Sequence, residues 1–128
     1  MQALHAGAGV ADITAPKGTD LGGYWGRAGP AAGTPLDPLT ARVLILRQRG
    51  EGGGDGGGGS MTIGTGSTVI VSLDLVGVDC ATAGRLKSAV LATAEAPAHH
   101  VTSSESILLC CTHTHTGPQT HAGFVGMG

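Results

Sequence analysis

Three stretches decide the fold: Thr68–Leu75, T-V-I-V-S-L-D-L; Val78–Ala96, V-D-C-A-T-A-G-R-L-K-S-A-V-L-A-T-A-E-A; and Ile107–Pro118, I-L-L-C-C-T-H-T-H-T-G-P. The first is aliphatic and β-branched over almost its whole length, which predicts a buried strand. In the second, Asp79 is an N-cap, Leu86, Val90 and Leu91 form an apolar stripe at three- and four-residue spacing, and Pro97 closes the helix. The third opens on an apolar run between polar flanks and predicts another buried strand. Strand, helix, strand in this order implies a parallel pair joined by a right-handed crossover. Ligands in such sheets gather beyond the C-terminal ends of the strands, so Asp74, His113 and His115 fall on the functional edge.

Upstream, L-T-A-R-V-L-I-L-R-Q at Leu39–Gln48 predicts a strand antiparallel to Thr68–Leu75. The glycine-rich insert between them, Arg49–Ser67, predicts a flexible hairpin tip, because so little side chain cannot offset the entropy of ordering it. It lacks the G-x-x-x-x-G-K-S/T pattern and a following helix, which argues against a phosphate loop. Leu4–Thr14 is small and weakly alternating, ends before Pro16, and predicts a first short strand. Lys17–Pro38 is dense in turn signals and predicts a long loop. Tyr24 and Trp25 inside that loop either rim a substrate pocket or pin the loop to the body. The fold class is α/β: a small mixed sheet of about four strands with one main crossover helix.

The chain has 128 residues with 41% hydrophobic content, enough for one core and not two. With 24 glycines and one each of Trp, Tyr and Phe, that core must be built from Val, Leu, Ile and Ala. The shortage of bulk predicts a single partial domain over residues 1–128 whose remaining layers lie elsewhere. Seven basic against nine acidic residues give a net charge of −2 and no basic run, which argues against nucleic acid as a partner. The N-terminus shows neither a charged leader nor a long apolar stretch, so neither a signal peptide nor a transmembrane segment is expected, and the compartment stays open. Cys80, Cys110 and Cys111 make neither a C-x-x-C pair nor an even disulfide set, and the adjacent pair predicts buried, reduced thiols on opposite faces of its strand.

On an extended backbone His113 and His115 point to one face, with Thr112, Thr114 and Thr116 on the other, and Gly117-Pro118 turns the chain beyond them. One divalent ion can meet both rings. Catalytic zinc takes three protein ligands and an open position, so the pair is at most part of a site. Spacing alone leaves a second reading open, in which the two imidazoles are merely solvated or hydrogen-bonded at a strand end. Asp74 has two readings as well: a cap for the following turn, or a partner that orients a metal-bound imidazole. His99-His100 reads as solvated loop, since adjacent side chains diverge on any regular backbone.

Four pieces in order give the chain a resemblance to the neutral/alkaline non-lysosomal ceramidase family: A-D-I-T at Ala11–Thr14; Gly23-Tyr24 followed by D-P-L-T-A-R at Asp37–Arg42; V-S-L-D-L at Val71–Leu75; and T-H-T-H-T-G-P at Thr112–Pro118. The last is the most specific, and departs from the family's usual T-H-T-H-S-G-P only at Thr116. The resemblance implies the N-terminal part of a larger zinc hydrolase domain that cleaves the N-acyl amide bond of ceramide to a sphingoid base and a fatty acid. It implies one Zn2+ held by His113 together with a later histidine, a glutamate and a tyrosine expected outside this chain, and it places His115 beside the reacting amide as the catalytic imidazole. Such a site is chemically coherent, because zinc activates water and polarises a carbonyl while an imidazole exchanges protons near neutrality. Family catalytic domains are several times longer, so the resemblance also implies that this polypeptide alone is an inactive piece of the amidase.

Two other classes compete. A non-catalytic remnant that binds metal weakly through two histidines would show little selectivity among zinc, nickel and copper. A thiol enzyme using Cys110 or Cys111 is disfavoured by the apolar strand expected to hide both.

Overall fold

A computed structural model describes residues 4–24, 34–48, 67–94 and 106–120. Trp25, His99-His100 and residues 49–66 of the glycine-rich insert lie outside the described residues. Four strands and one helix follow in the order β1 (Leu4–Asp12), β2 (Thr40–Gln48), β3 (Ser67–Leu73), α1 (Cys80–Ala94) and β4 (Ile107–Cys111). Ser67, read from sequence as the end of the insert, is the first residue of β3.

The sheet order is β1-β2-β3-β4. The β1–β2 and β2–β3 pairs are antiparallel, and β3 and β4 run parallel with Val69 opposite Ile107 and Leu73 opposite Cys111. This is the mixed sheet expected from sequence, and α1 supplies the connection a parallel pair requires. The Asp79 carboxylate accepts a hydrogen bond from the amide of Thr82 at 2.6 Å, which caps the start of the helix as its position predicts.

Val69, Val71, Leu73 and Ile107 form the buried centre, with Leu86, Val90 and Leu91 of α1 and Ala41, Val43 and Ile45 of β2 packed against it. Val69 and Ile107 are essentially sealed from water, and each such side chain contributes about 1.5–3 kcal/mol relative to an exposed one. Side chains alternate across a strand, so the residues between these face the other way. That second face is open: Val10 is 70% exposed and Leu108 50%.

The open face corrects the expectation for the cysteines. Cys110 is exposed, because it alternates away from α1, whereas Cys111 is partly buried on the helix side. Burial, with the neighbouring Cys110 as a smaller cause, pushes the Cys111 thiol up. Among the described residues no helix is long and apolar enough to cross a membrane.

Gly84 is an exposed residue in the middle of α1 with open space where a Cβ would stand. Gly84→Ala is expected to raise stability by about 0.5–1 kcal/mol, read as an increased denaturation midpoint at unchanged m-value. An unchanged or lower midpoint would mean that the helix makes a contact there which alanine disturbs.

Candidate active site at the β3 and β4 strand ends

The chain does not relax into loop directly after β3. Asp74 donates its amide to the Thr40 carbonyl at 3.0 Å, prolonging the β2–β3 ladder. Its carboxylate reaches back to the same residue and accepts from the Thr40 amide at 2.9 Å and the Thr40 hydroxyl at 2.7 Å. Arg42 adds a contact at 3.3 Å, and its side chain is 57% exposed against 16% for Asp74, so this ion pair contributes little. The Thr40 hydroxyl and amide hold the Asp74 carboxyl below the usual carboxylate range, with Arg42 and Thr112 adding to the effect.

Leu75 and Val76, just beyond, present their carbonyls to the end of β4. Thr112 donates its amide to the Leu73 carbonyl and His113 donates its own to that of Leu75, each at 3.0 Å. His113 then turns the chain with φ +62°, a left-handed conformation that histidine tolerates better than most residues. Its ring Nδ1 lies 2.8 Å from the Val76 carbonyl oxygen. A carbonyl only accepts, so Nδ1 carries the hydrogen, and in the neutral ring Nε2 offers a lone pair.

The two imidazoles do come together, although not by strand alternation, because β4 ends at Cys111 and His113 is left-handed. Their ring centroids are 4.9 Å apart, edge to face at 78°. His113 is exposed and His115 half-buried. On its other side His115 meets Tyr24, again edge to face with centroids 4.9 Å apart.

The loop that carries Tyr24 is held against the histidine loop by backbone pairing. Gly22 donates to the Gly117 carbonyl at 3.1 Å and Gln119 donates to that of Asp20 at 2.9 Å, with Leu21 and Pro118 bridged between them. Gly117 is buried, and a Cβ there would stand 3.2 Å from the Asp74 carbonyl. The side chains of Thr114 and Thr116 hydrogen-bond each other at 3.0 Å and line a separate cleft of about 500 Å3 with Leu21, Leu36, Leu39 and Pro118. The histidines and Tyr24 are not in that lining.

Of the residues singled out in the sequence, His113, His115 and Tyr24 are therefore assembled into one cluster, while Trp25 lies outside the described residues. The Asp74 carboxylate bonds to Thr40 and Arg42 across the sheet and is also engaged by Thr112, next to His113, while the His113 ring nitrogen is oriented by the Val76 carbonyl. That carbonyl was missed because a backbone acceptor has no side-chain signature. Among the described residues no group of three or more His, Cys, Asp or Glu side chains is placed to hold a metal.

No family model and no curated protein matches the sequence. In structure the chain is similar to the neutral ceramidase from Pseudomonas aeruginosa, with a TM-score of 0.60 and 21% identity over 91% of this chain. The described fold is thus ceramidase-like. The chain spans 16% of the length of that ceramidase chain.

The lowered carboxyl of Asp74 has a signed consequence. Its contribution to stability is complete above the ordinary carboxylate range and is lost as pH falls through its own depressed value. Asp74→Asn is expected to cost about 1–3 kcal/mol at neutral pH, through loss of a charged acceptor for Thr40, and to make stability fall less steeply as pH drops below about 4. Equal acid sensitivity of variant and parent in denaturant titrations would remove Asp74 as the source.

Proposed function

We propose that the chain forms one wall of the active site of a zinc-dependent amidase of the neutral ceramidase kind, with a ceramide-like lipid amide as substrate. The observation that supports this most directly is the His113 ring, tied at Nδ1 to the Val76 carbonyl at 2.8 Å and so left with Nε2 to bind a metal. Metal-bound histidines characteristically give their other ring nitrogen to such an acceptor, which fixes both tautomer and direction. The donor chemistry at His113 therefore fits zinc. The similarity in fold to the neutral ceramidase and the T-H-T-H-T-G-P motif support the substrate class.

In this reading His113 is the metal ligand and the Leu75 and Val76 carbonyls keep its ring from swinging away. His115, set against His113, holds the reacting amide and passes a proton to the nitrogen that leaves as an amine. When bound, zinc supplies an activated water and polarises the amide carbonyl. The remaining ligands come from residues outside those described, because catalytic zinc needs three. Tyr24 stands at the rim of this cluster, 51% exposed and against His115.

The absence of a third ligand among the described residues also favours a second reading, a weak two-imidazole metal site without catalysis. The two readings part on what completes them. Calorimetric titration with zinc should show binding that weakens by about tenfold or more in His113→Asn, the scale on which even an outer partner of a metal-bound imidazole counts. Asparagine is chosen because it also accepts left-handed backbone. Undiminished zinc binding in His113→Asn would refute the ligand assignment. The 128-residue chain is expected to release no fatty acid from ceramide on its own, and zinc-dependent turnover by it would contradict the incomplete site.

A further inference from the structure

We infer that Gly23 is a positioning residue for His115, fixing the imidazole through a contact that only a bare Cα permits. Gly23 has φ +95°, and a Cβ built on it would lie 2.8 Å from Cγ of His115 and 3.0 Å from both its Cα and its Cβ. Separations under 3.0 Å are essentially never seen for a real Cβ. Because backbone as well as side-chain atoms are involved, rotating the imidazole does not relieve the contact.

Nor can Gly23 retreat. Gly22 is bonded to the Gly117 carbonyl at 3.1 Å, and Gln119 to that of Asp20 at 2.9 Å, so the strip before Gly23 and the turn after His115 are held together. Tyr24, the next residue, lays its ring on the imidazole at 4.9 Å. His115 is thereby enclosed by Gly23, Tyr24 and the His113 ring, and two of the three come from the loop after β1, about ninety positions away in the chain. The placement of a proton-handling group is set by a distant glycine. The inference rests on the reading of His115 as that group, but the position of the ring can be measured without metal or substrate.

The experiment is NMR of the metal-free chain with labelled histidine, comparing the parent with Gly23→Ala and Gly18→Ala. Gly18 has φ +90° and open space where its Cβ would stand, so its variant reproduces the backbone strain without the contact. In Gly23→Ala the ring protons of His115 should lose the displacement that the Tyr24 ring imposes on them, while in Gly18→Ala they should keep it. Should Gly23→Ala be too unstable for spectra, the double variant Gly23→Ala/His115→Gly, which removes the Cβ and Cγ contacts and leaves only the approach to the His115 Cα and the backbone strain, should be more stable than the single variant. Unmoved His115 resonances in Gly23→Ala, equal movement in Gly18→Ala, or a double variant no more stable than the single one would each overturn the inference. If His113 resonances in the parent ignore added zinc while Gly23→Ala still moves His115, the metal reading fails and the role of Gly23 stands.

Discussion

Two consecutive carbonyls, those of Leu75 and Val76, receive the main-chain and ring nitrogens of His113, and the rest of the site is arranged around that grip. It holds a non-glycine residue in left-handed backbone, a conformation that costs on the order of 1–2 kcal/mol. The cost is offset only because the segment offering the carbonyls is itself fixed. Asp74 does this from one side, through three hydrogen bonds with Thr40 that carry the antiparallel ladder past the formal end of β3. On the other side Asp79 caps α1, whose half-buried stripe packs against the core.

A path of constraint therefore runs from the start of β2, through Asp74, to the direction of an imidazole just beyond β4. None of these residues needs to touch a ligand to matter to one. The second imidazole is governed by a different part of the chain, the strip around Leu21 that pairs with Pro118. Two separate supports converging on two neighbouring rings is the arrangement expected where side chains must be organised before anything binds.

Much of the architecture was legible in the sequence. The aliphatic run of β3, the helical spacing of Leu86, Val90 and Leu91, and the shorter run of β4 led directly to a mixed sheet with one crossover helix. The convergence of His113 and His115 was also legible, but for the wrong reason. Alternation along a strand cannot operate past Cys111, where β4 ends, and a left-handed dihedral leaves no mark in the letters beyond the tolerance of histidine for it. The partners of Asp74 escaped because Thr40 lies 34 positions away and only the sheet register brings it near. Cys110 was misplaced because an apolar strand reads as buried on both sides, whereas a single helix covers only one.

That half-covered sheet bears on how β4 finds its place. Leu108 on the open side is nearly as apolar as Ile107 and Leu109 on the covered side, so sliding the strand by one residue would exchange one greasy row for another at small cost. Hydrophobic patterning usually forbids such slippage, and here it has little leverage. The job passes to the end of the strand: a shift of one residue, about 3.3 Å, would carry His113 out of reach of both carbonyls. The same grip that aims an imidazole thus acts as the detent that sets the alignment of the last strand.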